Sequence, residues 1–349
     1  MNQFKPLVTI AIPIYNVAEY VVNCIQSVLK QDYNNIEILV FYDISSDDSL
    51  LLARQTLCNA NRPFRIIEKK IEDKGLGFSR NMALNEANGE LLYFLDSDDY
   101  ITYDAISLLV DEYKESNAEI ICGSFERFDI TTKKSDVQIL PRLRFGDNKF
   151  FLEYIYLHKG KYPIYAWNKL YDISFLKKYA IHCVHTVVED DIFSFDIIHK
   201  VSKISLLDNI TYTYVIRPNS TTNVVMSENV KIDIANIYVE IKNYEITEIL
   251  KSNDTYLRLV EFMKIMHTAV IMTVRNSLSS KYINSKDKKE LCKRVFCMDG
   301  FKSNHVKNLP IRDRLFYNAL VVIQCVPNSL LYIISQIVRS LFSLRKIIK

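Results

Sequence analysis

The sequence predicts an α/β fold: a mostly parallel sheet with helices on both faces, followed by a helical C-terminal region. Two observations in the first 128 residues predict the sheet. Short apolar runs rich in β-branched residues recur there, as is typical of buried strands. Segments with apolar residues at helical spacing separate these runs, and such alternation is typical of parallel sheets. A third observation, helical patterning over 227–298, predicts the C-terminal region.

The first half of the chain alternates strands and helices. The run VTIAIPIY at 8–15 predicts the first strand. Asn16 with Glu19 three residues later predicts a helix start, and apolar residues recur on one helical face from Tyr20 to Leu29. The next predicted elements are a strand at 36–41, a helix at 48–59, a strand at 64–69, a helix at 77–87, a strand at 90–96, a helix at 102–116 and a strand at 119–128.

The second half is less regular. Residues 129–148 are polar and weakly patterned, which predicts a hairpin or a loop. A helix at 189–200 and a strand at 204–216 follow, and 227–298 holds two or three helices. Ligands of α/β sheets bind at the carboxyl ends of the strands, so the polar clusters at those ends are candidate site residues.

Charge is unevenly distributed. The net charge is +3 over 349 residues, but residues 301–349 hold eight Lys or Arg and one acid, Asp313, which gives that segment +7. Such a basic tail predicts an anionic partner, a membrane surface or a nucleic acid. The seven cysteines show no CxxC spacing, which argues against a zinc site and favours reduced thiols in a cytosolic protein. The N-terminus lacks the features of a signal peptide.

The most informative cluster is Asp96-Ser97-Asp98-Asp99, directly after the apolar run LLYFL. Three carboxylates at the end of a buried strand repel one another unless a positive group lies among them. Mg²⁺ or Mn²⁺ prefers oxygen ligands and is readily shared with phosphates. The cluster therefore predicts a divalent cation beside a nucleotide diphosphate. The alternative is that one of these acids caps the helix that begins near Thr102.

Several motifs together resemble the family 2 glycosyltransferases of the GT-A fold. The matching pieces cover roughly residues 6–125 and keep the order and spacing of that family. They are VTIAIPIYN at 8–16, DISSDDS at 43–49, GLGFSRN at 75–81, Gly89-Glu90 and the DSDD cluster at 96–99. Each piece is weak alone, and the ordered set is specific.

The resemblance implies roles for the matching residues. Those that would bind the donor nucleotide are Pro13, Tyr15, Asn16, Asp43, Arg80, Asp96 and Ser97. Asp43 would accept a hydrogen bond from the base, and Arg80 would approach the phosphates, since guanidinium offers a planar fork to phosphate oxygens. Asp98 would hold Mn²⁺ or Mg²⁺, with Asp96 facing the ribose or the metal's waters. In the alternative interpretation, Asp43 caps the helix near Asp48 and Arg80 is a surface residue.

One departure concerns the donor base. Where the family usually has Asp-Asp-Gly-Ser, this chain has Tyr42-Asp43-Ile44-Ser45. The loss of the first acid and of the glycine puts the identity of the base in question more than it does catalysis.

A second resemblance, to bacterial polysaccharide-building members of the family, covers residues 165–223. It rests on WNKLY at 167–171, EDDIF at 189–193 and YTY at 212–214, with Arg217 and Ser220. It implies that Asp190 is the catalytic base and that Glu189 orients the site and tunes the pKa of that base. Trp167, Lys169 and Arg217 would lie on the acceptor side. The alternatives are an acidic helix start favoured by the helix dipole and a Trp167 in the core.

The resemblance also implies an organisation and a reaction. Residues 1–222 would be the GT-A domain, with a nucleotide-sugar half at 1–128 and an acceptor half at 129–222, and 223–349 the helical region with its basic amphipathic tail. We expect inverting transfer of a hexose or N-acetylhexosamine from a uridine-linked donor. The acceptor would be an oligosaccharide or lipid-linked glycan such as a capsule, O-antigen or lipooligosaccharide.

The C-terminal tail has the composition of a membrane-binding segment. Residues 315–338 carry no charge, but Pro327 interrupts them, and the segment from 330 is amphipathic with basic flanks. This favours docking on the inner face of the cytoplasmic membrane over packing or spanning. We expect no nucleic-acid partner and allow a homo-oligomer. The rival functions are a degenerate GT-A domain acting as a scaffold and a sugar-phosphate nucleotidyltransferase, which usually has a Gly-rich loop after its first strand.

Overall fold

The protein divides into two compact units, Met1–Ile155 with Lys159–Arg217, and Tyr156–His158 with Pro218–Lys349. The computed structural model describes residues 5–58, 60–158, 160–184, 189–217, 231–251, 254–271, 273, 277–278, 280–296, 304–309, 311–324, 330 and 333. The domain boundary predicted at 222 lies outside these described residues, as does nearly all of the amphipathic segment predicted from residue 330.

The first unit follows the predicted alternation closely. Its elements up to the sixth strand are β1 (Val8–Ile14), α1 (Val21–Leu29), β2 (Ile36–Tyr42), α2 (Ser49–Leu57), β3 (Phe64–Glu68), α3 (Leu76–Glu86), β4 (Leu91–Phe94), β5 (Tyr100–Ile101), α4 (Ala105–Ser116) and β6 (Ile120–Asp129). After them come β7 (Lys134–Gln138), β8 (Leu143–Phe145), α5 (Asn148–Tyr156), β9 (Lys169–Asp172), α6 (Ile173–Lys178), α7 (Glu189–Lys200) and β10 (Ile204–Ile216).

These strands form one mixed sheet in the order β3-β2-β1-β4-β9-β6-β10-β5, with β7 paired to β6 and β8 paired to β10. The first four strands are parallel, so Ile10 lies opposite both Ile38 and Tyr93. β9 runs antiparallel between β4 and β6, whereas β6 and β10 are parallel to each other. The hairpin considered for residues 129–148 is β7 folded against β6.

The core explains the apolar runs. Every residue of β2 and of β4 is buried, as in strands covered on both faces. The helix α1 buries Val21, Cys24, Ile25 and Val28, which recur at the spacing of one helical face. These side chains join the strand residues and those of α4 in one hydrophobic cluster.

The predicted helix start at Asn16 is wrong. α1 begins at Val21, and Asn16 adopts a left-handed conformation with φ of 49°. Its side-chain oxygen accepts a hydrogen bond from the Ser46 amide at 2.8 Å instead of capping its own helix. Asparagine tolerates this conformation better than most residues, so Asn16 serves a turn here.

The second unit is helical where it is described. Its helices are α8 (Ile232–Ile249), α9 (Thr255–Ile271), α10 (Ser285–Phe296) and α11 (Ile311–Gln324). Three of them fall in the range predicted to hold two or three helices. None of the helices in the described ranges has both the length and the apolar character that crossing a bilayer requires.

Candidate active site

The loops after β1 and β2 are joined by side-chain hydrogen bonds at the carboxyl edge of the sheet. The Asn16 amide donates to the Ser45 hydroxyl at 3.0 Å, and the Ala18 amide donates to the Asp47 carboxylate at 2.9 Å. Tyr15 stands beside this junction with its ring exposed, and the Lys74 ammonium lies 4.4 Å from the ring centroid. Polar loops are thus held together where a ligand of this sheet would bind.

Asp43 is the buried acid of this edge. Its carboxylate lies 2.9 Å from the Lys69 ammonium and accepts from the Gly75 amide at 3.1 Å. The Lys69 side chain is fully buried and also donates to the Gly75 carbonyl at 2.8 Å. Burial lowers the pKa of Lys69, while the Asp43 carboxylate opposes that effect. Asp43 therefore does not cap α2, and its partner Lys69 was not found from the sequence.

The three acids at 96–99 are directed to different partners. The Asp99 amide donates to the Asp96 carbonyl at 3.0 Å, which closes a tight turn after β4. The Asp98 carboxylate accepts from the Arg217 Nε at 2.7 Å. Asp99 is buried and accepts from the Tyr212 hydroxyl at 2.6 Å and from the Val215 amide at 2.7 Å. Asp99 thus ties the turn to β10.

Asp96 is paired with Arg80, whose Nη2 donates to the Asp96 carboxylate at 3.1 Å. Burial raises the pKa of Asp96 to about 6, although Arg80 acts in the opposite direction. Ser97, between Asp96 and Asp98, is buried. The positive charge that the acid run requires is therefore supplied in part by two arginines of the protein itself.

The residues at this turn fit a cation shared with a ligand. Across the described residues, no group of three His, Cys, Asp or Glu side chains is arranged to hold a metal ion. Mg²⁺ is usually bound by one or two carboxylates together with substrate phosphates and waters, which needs no such group. Asp98 is 23% exposed, so part of its carboxylate is open to a ligand.

Glu189 and Asp190 meet the same arginine from the other side. The Arg80 Nη1 donates to Glu189 at 2.9 Å and to Asp190. Burial raises the pKa of Glu189 to about 7, although the Arg80 charge opposes it. Burial lowers the pKa of Arg80, but the Asp190, Asp96 and Glu189 carboxylates outweigh that effect and keep it well above its ordinary value. Arg80 is therefore a buried ion-pair centre and not a surface residue.

The three predicted acceptor-side residues have different surroundings. Trp167 is 5% exposed and lies parallel to the rings of Tyr165, Tyr212 and Tyr214, at centroid distances of 4.8, 4.6 and 5.5 Å. The Tyr165 ring is 36% exposed, whereas Trp167 belongs to the hydrophobic core. This stack could not be predicted from the sequence, because only the fold brings its members together.

Lys169 and Arg217 both contact residues of the first unit. Lys169 is buried, and its ammonium donates to the Tyr165 carbonyl and lies 5.2 Å from the Tyr162 ring centroid. Burial lowers the pKa of Lys169. Arg217 stacks over Tyr20 at 5.2 Å while it pairs with Asp98, which puts it beside the predicted metal residue.

Known proteins resemble this chain in sequence and in fold. It is 30% identical to the putative glycosyltransferase EpsH of Bacillus subtilis over 196 residues, 54% of this chain and 55% of EpsH. It is 37% identical to chondroitin synthase of Escherichia coli over 110 residues, 32% of this chain and 16% of that enzyme. The chain therefore spans about half of EpsH and less of chondroitin synthase.

Solved structures share the fold. The crystal structure of S. aureus TarS 1–349 in complex with UDP-GlcNAc superposes with a TM-score of 0.65 at 17% identity, covering 95% of this chain and 89% of that one. The mixed sheet with helices on both faces is thus the GT-A fold. Residues 9–179 match the family described as "Glycosyl transferase family 2". Through these residues the chain belongs to glycosyl transferase family 2.

Proposed function

We propose that the protein transfers a hexose or N-acetylhexosamine, with inversion, from a UDP-linked donor to a hydroxyl of a growing surface glycan. One observation carries the proposal: Asp190 and Asp96 converge on the same guanidinium, that of Arg80. The predicted base and the predicted metal-side acids come from segments almost a hundred residues apart. Their convergence at the carboxyl edge of the sheet supports a single reaction centre.

The proposed chemistry needs one base and one leaving group. Asp190 accepts the proton of the acceptor hydroxyl. At the same time, the oxygen of that hydroxyl forms a bond to the anomeric carbon of the donor sugar. The bond from that carbon to the diphosphate oxygen breaks on the opposite face, and the nucleotide diphosphate leaves with the electron pair. Asp98 would hold Mn²⁺ or Mg²⁺, whose charge stabilises the leaving diphosphate.

The donor half of the proposal rests on Asp43. A carboxylate there would accept from a base N–H, as uracil offers. Asp43 is fixed by Lys69 and by the Gly75 amide, so its position is set before any nucleotide binds. Tyr15, Pro13 and Asn16 would border the base and ribose. The UDP-GlcNAc complex of TarS supports a uridine-linked donor of this kind.

The acceptor half of the proposal rests on the relatives and on the tail. The likeness to chondroitin synthase supports a polysaccharide acceptor. Trp167, Lys169 and Arg217 would lie on the side of the site that receives it. The +7 segment at 301–349 supports attachment to the anionic inner face of the cytoplasmic membrane. We propose a cytoplasmic, peripheral protein that can self-associate and does not bind nucleic acid.

A nucleotide-release assay tests the function. The protein would be incubated with UDP-, GDP-, CDP- and TDP-sugars, with and without Mn²⁺, and the free nucleotide measured. We expect metal-dependent release from UDP-sugars that stops in Asp190→Asn. Release from a different nucleotide class would replace the donor assignment, and release that needs no metal would contradict the role of Asp98.

A second function is favoured by one residue. Ile44 replaces the family's glycine and is 57% exposed beside Asp43, so it changes the predicted base pocket in a way that is compatible with binding without turnover. In that case the protein would be a nucleotide- or glycan-binding scaffold. Calorimetric binding of UDP without release from any sugar nucleotide would identify it.

A further inference from the structure

Three residues on one face of α3 contact α7 or the chain segment that precedes it. Gly77, Arg80 and Asn81 are spaced at i, i+3 and i+4, so they lie on one side of the helix. The Asn81 amide group donates to the Cys183 carbonyl at 2.8 Å and accepts from the Cys183 amide at 2.8 Å. This reciprocal pair fixes the chain shortly before the catalytic acids.

Gly77 permits the close approach on which that pair depends. A Cβ at this position would clash with the Val184 carbonyl oxygen and lie 3.2 Å from the Glu189 Cβ. Since the backbone carbonyl cannot swing aside like a flexible side chain, α3 can come this near to α7 only with a glycine there. The approach brings Arg80 within hydrogen-bonding distance of both catalytic acids.

We propose that Arg80 is a positioning residue for the base: its guanidinium orients Asp190 against Asp96 and does not bind the donor's phosphates. This inference rests on the proposed function, which makes Asp190 the base. Arg80 contacts carboxylates on both sides, Glu189 and Asp190 through Nη1 and Asp96 through Nη2. One planar fork thus sets the spacing between the two groups of acids.

The surroundings of Arg80 leave little room for a phosphate. Its side chain is 2% exposed, and its Cζ lies 5.8 Å from the centroid of the Phe94 ring. Both Nη groups already donate to carboxylates, and Nε is buried, so the guanidinium offers no open side to a phosphate. Removing the fork should therefore reduce turnover more than it reduces donor affinity, to which Asp43 and Asp98 are also expected to contribute.

The test compares turnover with nucleotide affinity in Arg80→Lys, which keeps the charge and loses the fork. We expect turnover to fall about 10- to 100-fold, the scale on which a misplacement of roughly 1 Å acts, and the UDP affinity with Mn²⁺ to change less than about twofold. Arg65→Lys is the matched control, because it makes the same change in an exposed pair with Glu86 and should keep turnover.

A double variant separates positioning from direct contact. If Arg80 acts through Asp190, Arg80→Lys/Asp190→Asn should turn over about as slowly as Asp190→Asn alone, because residues acting as a unit are not additive. Multiplied losses, or a fall in UDP affinity as large as the fall in turnover, would overturn the inference and leave the base assignment standing. Wild-type turnover in Asp190→Asn would overturn both.

A second variant guards against misfolding of Arg80→Lys. Asn81→Ala keeps every charge and removes only the pair with Cys183. We expect a smaller loss of turnover, again with UDP affinity and wild-type circular dichroism retained. Unchanged turnover in Asn81→Ala would mean that the α3 face does not position the base, which contradicts the inference.

Discussion

The protein contains two short runs of acids, at 96–99 and at 189–191, and the two runs differ in how their side chains are paired. In the first run each carboxylate has its own partner: Arg80 for Asp96, Arg217 for Asp98, and Tyr212 for Asp99. In the second run Glu189 and Asp190 both pair with Arg80, and Asp190 also accepts from the Ala166 amide at 3.3 Å. The same local composition therefore gives dispersed acids in one place and convergent acids in the other.

Backbone geometry explains the difference. The first run is a tight turn after β4, and a turn directs successive side chains to different sides. The second run opens the helix α7, where acids are favoured by the helix dipole and side chains advance about 100° per residue. A long Glu and the next Asp can still reach one guanidinium from there. An acid run at a strand end and one at a helix start should thus respond differently to substitution.

The largest effect is expected at Asp190. If Asp190 is the base, Asp190→Asn should lower turnover by roughly 10²–10⁴. Donor binding should stay unchanged, because the predicted nucleotide contacts lie in other segments. Turnover and UDP affinity measured on the same preparation would check this. Asp191→Asn is the control, since Asp191 is rotated about 100° from Asp190 on the helix. A greater loss in Asp191→Asn would shift the base by one residue.

The next effect concerns Asp98. Asp98→Ala should abolish the Mn²⁺-dependent part of UDP binding, since one carboxylate and the diphosphate are expected to share the ion. Its melting temperature should stay near that of the wild type, because the carboxylate is partly exposed. Titration of UDP with and without Mn²⁺ measures this. Equal Mn²⁺ dependence in the variant and the wild type would remove Asp98 from the site.

Asp99 provides the contrast within the same run. Asp99→Ala should destabilise the protein by about 1–3 kcal/mol, because the buried Tyr212 hydroxyl and Val215 amide lose their acceptor. Denaturant unfolding of Asp98→Ala and Asp99→Ala side by side would measure it. If the two variants were equally stable, the distinction between a ligand-facing and a structural acid in this run would fail.

The smallest effect is a pH dependence at Glu189. Its pKa is raised from 4.5 to about 7, so the folded state binds more protons than the unfolded state between those values. The stability that protonated Glu189 contributes is therefore lost as pH rises through that window. Glu189→Gln should gain stability relative to wild type from about pH 4.5 to about pH 7 and level off above it. A constant difference across this window would contradict the raised pKa.

The helices and strands of the fold could be predicted from the sequence, but the order of the strands in the sheet could not. The helix at 189–200 and the strand at 204–216 were predicted with the bounds observed, because their apolar patterns are strong and local. No local sequence pattern predicts that β9 lies between β4 and β6 in the sheet. Sheet order depends on which chain segments pair over long separations, and periodicity carries no information on that.

The site shows the same limit. The motifs identified the acids, but not that Arg80 lies between them, since its partners are at positions 96, 189 and 190. Lys69 was missed because a lone lysine after a strand has no motif, and only the fold reveals that it is buried against Asp43. Trp167 could not be assigned, because stacking in a core and stacking on a sugar require the same side chain.

The hydrogen bonds between the loops after β1 and β2 have a consequence for the thermodynamics of nucleotide binding. The amides of Asn16, Val17, Ala18 and Ser46 all donate to side-chain oxygens of the opposite loop. These loops have therefore lost their conformational entropy during folding. A nucleotide that binds there does not have to order them, and preorganisation of this kind increases affinity without adding a contact.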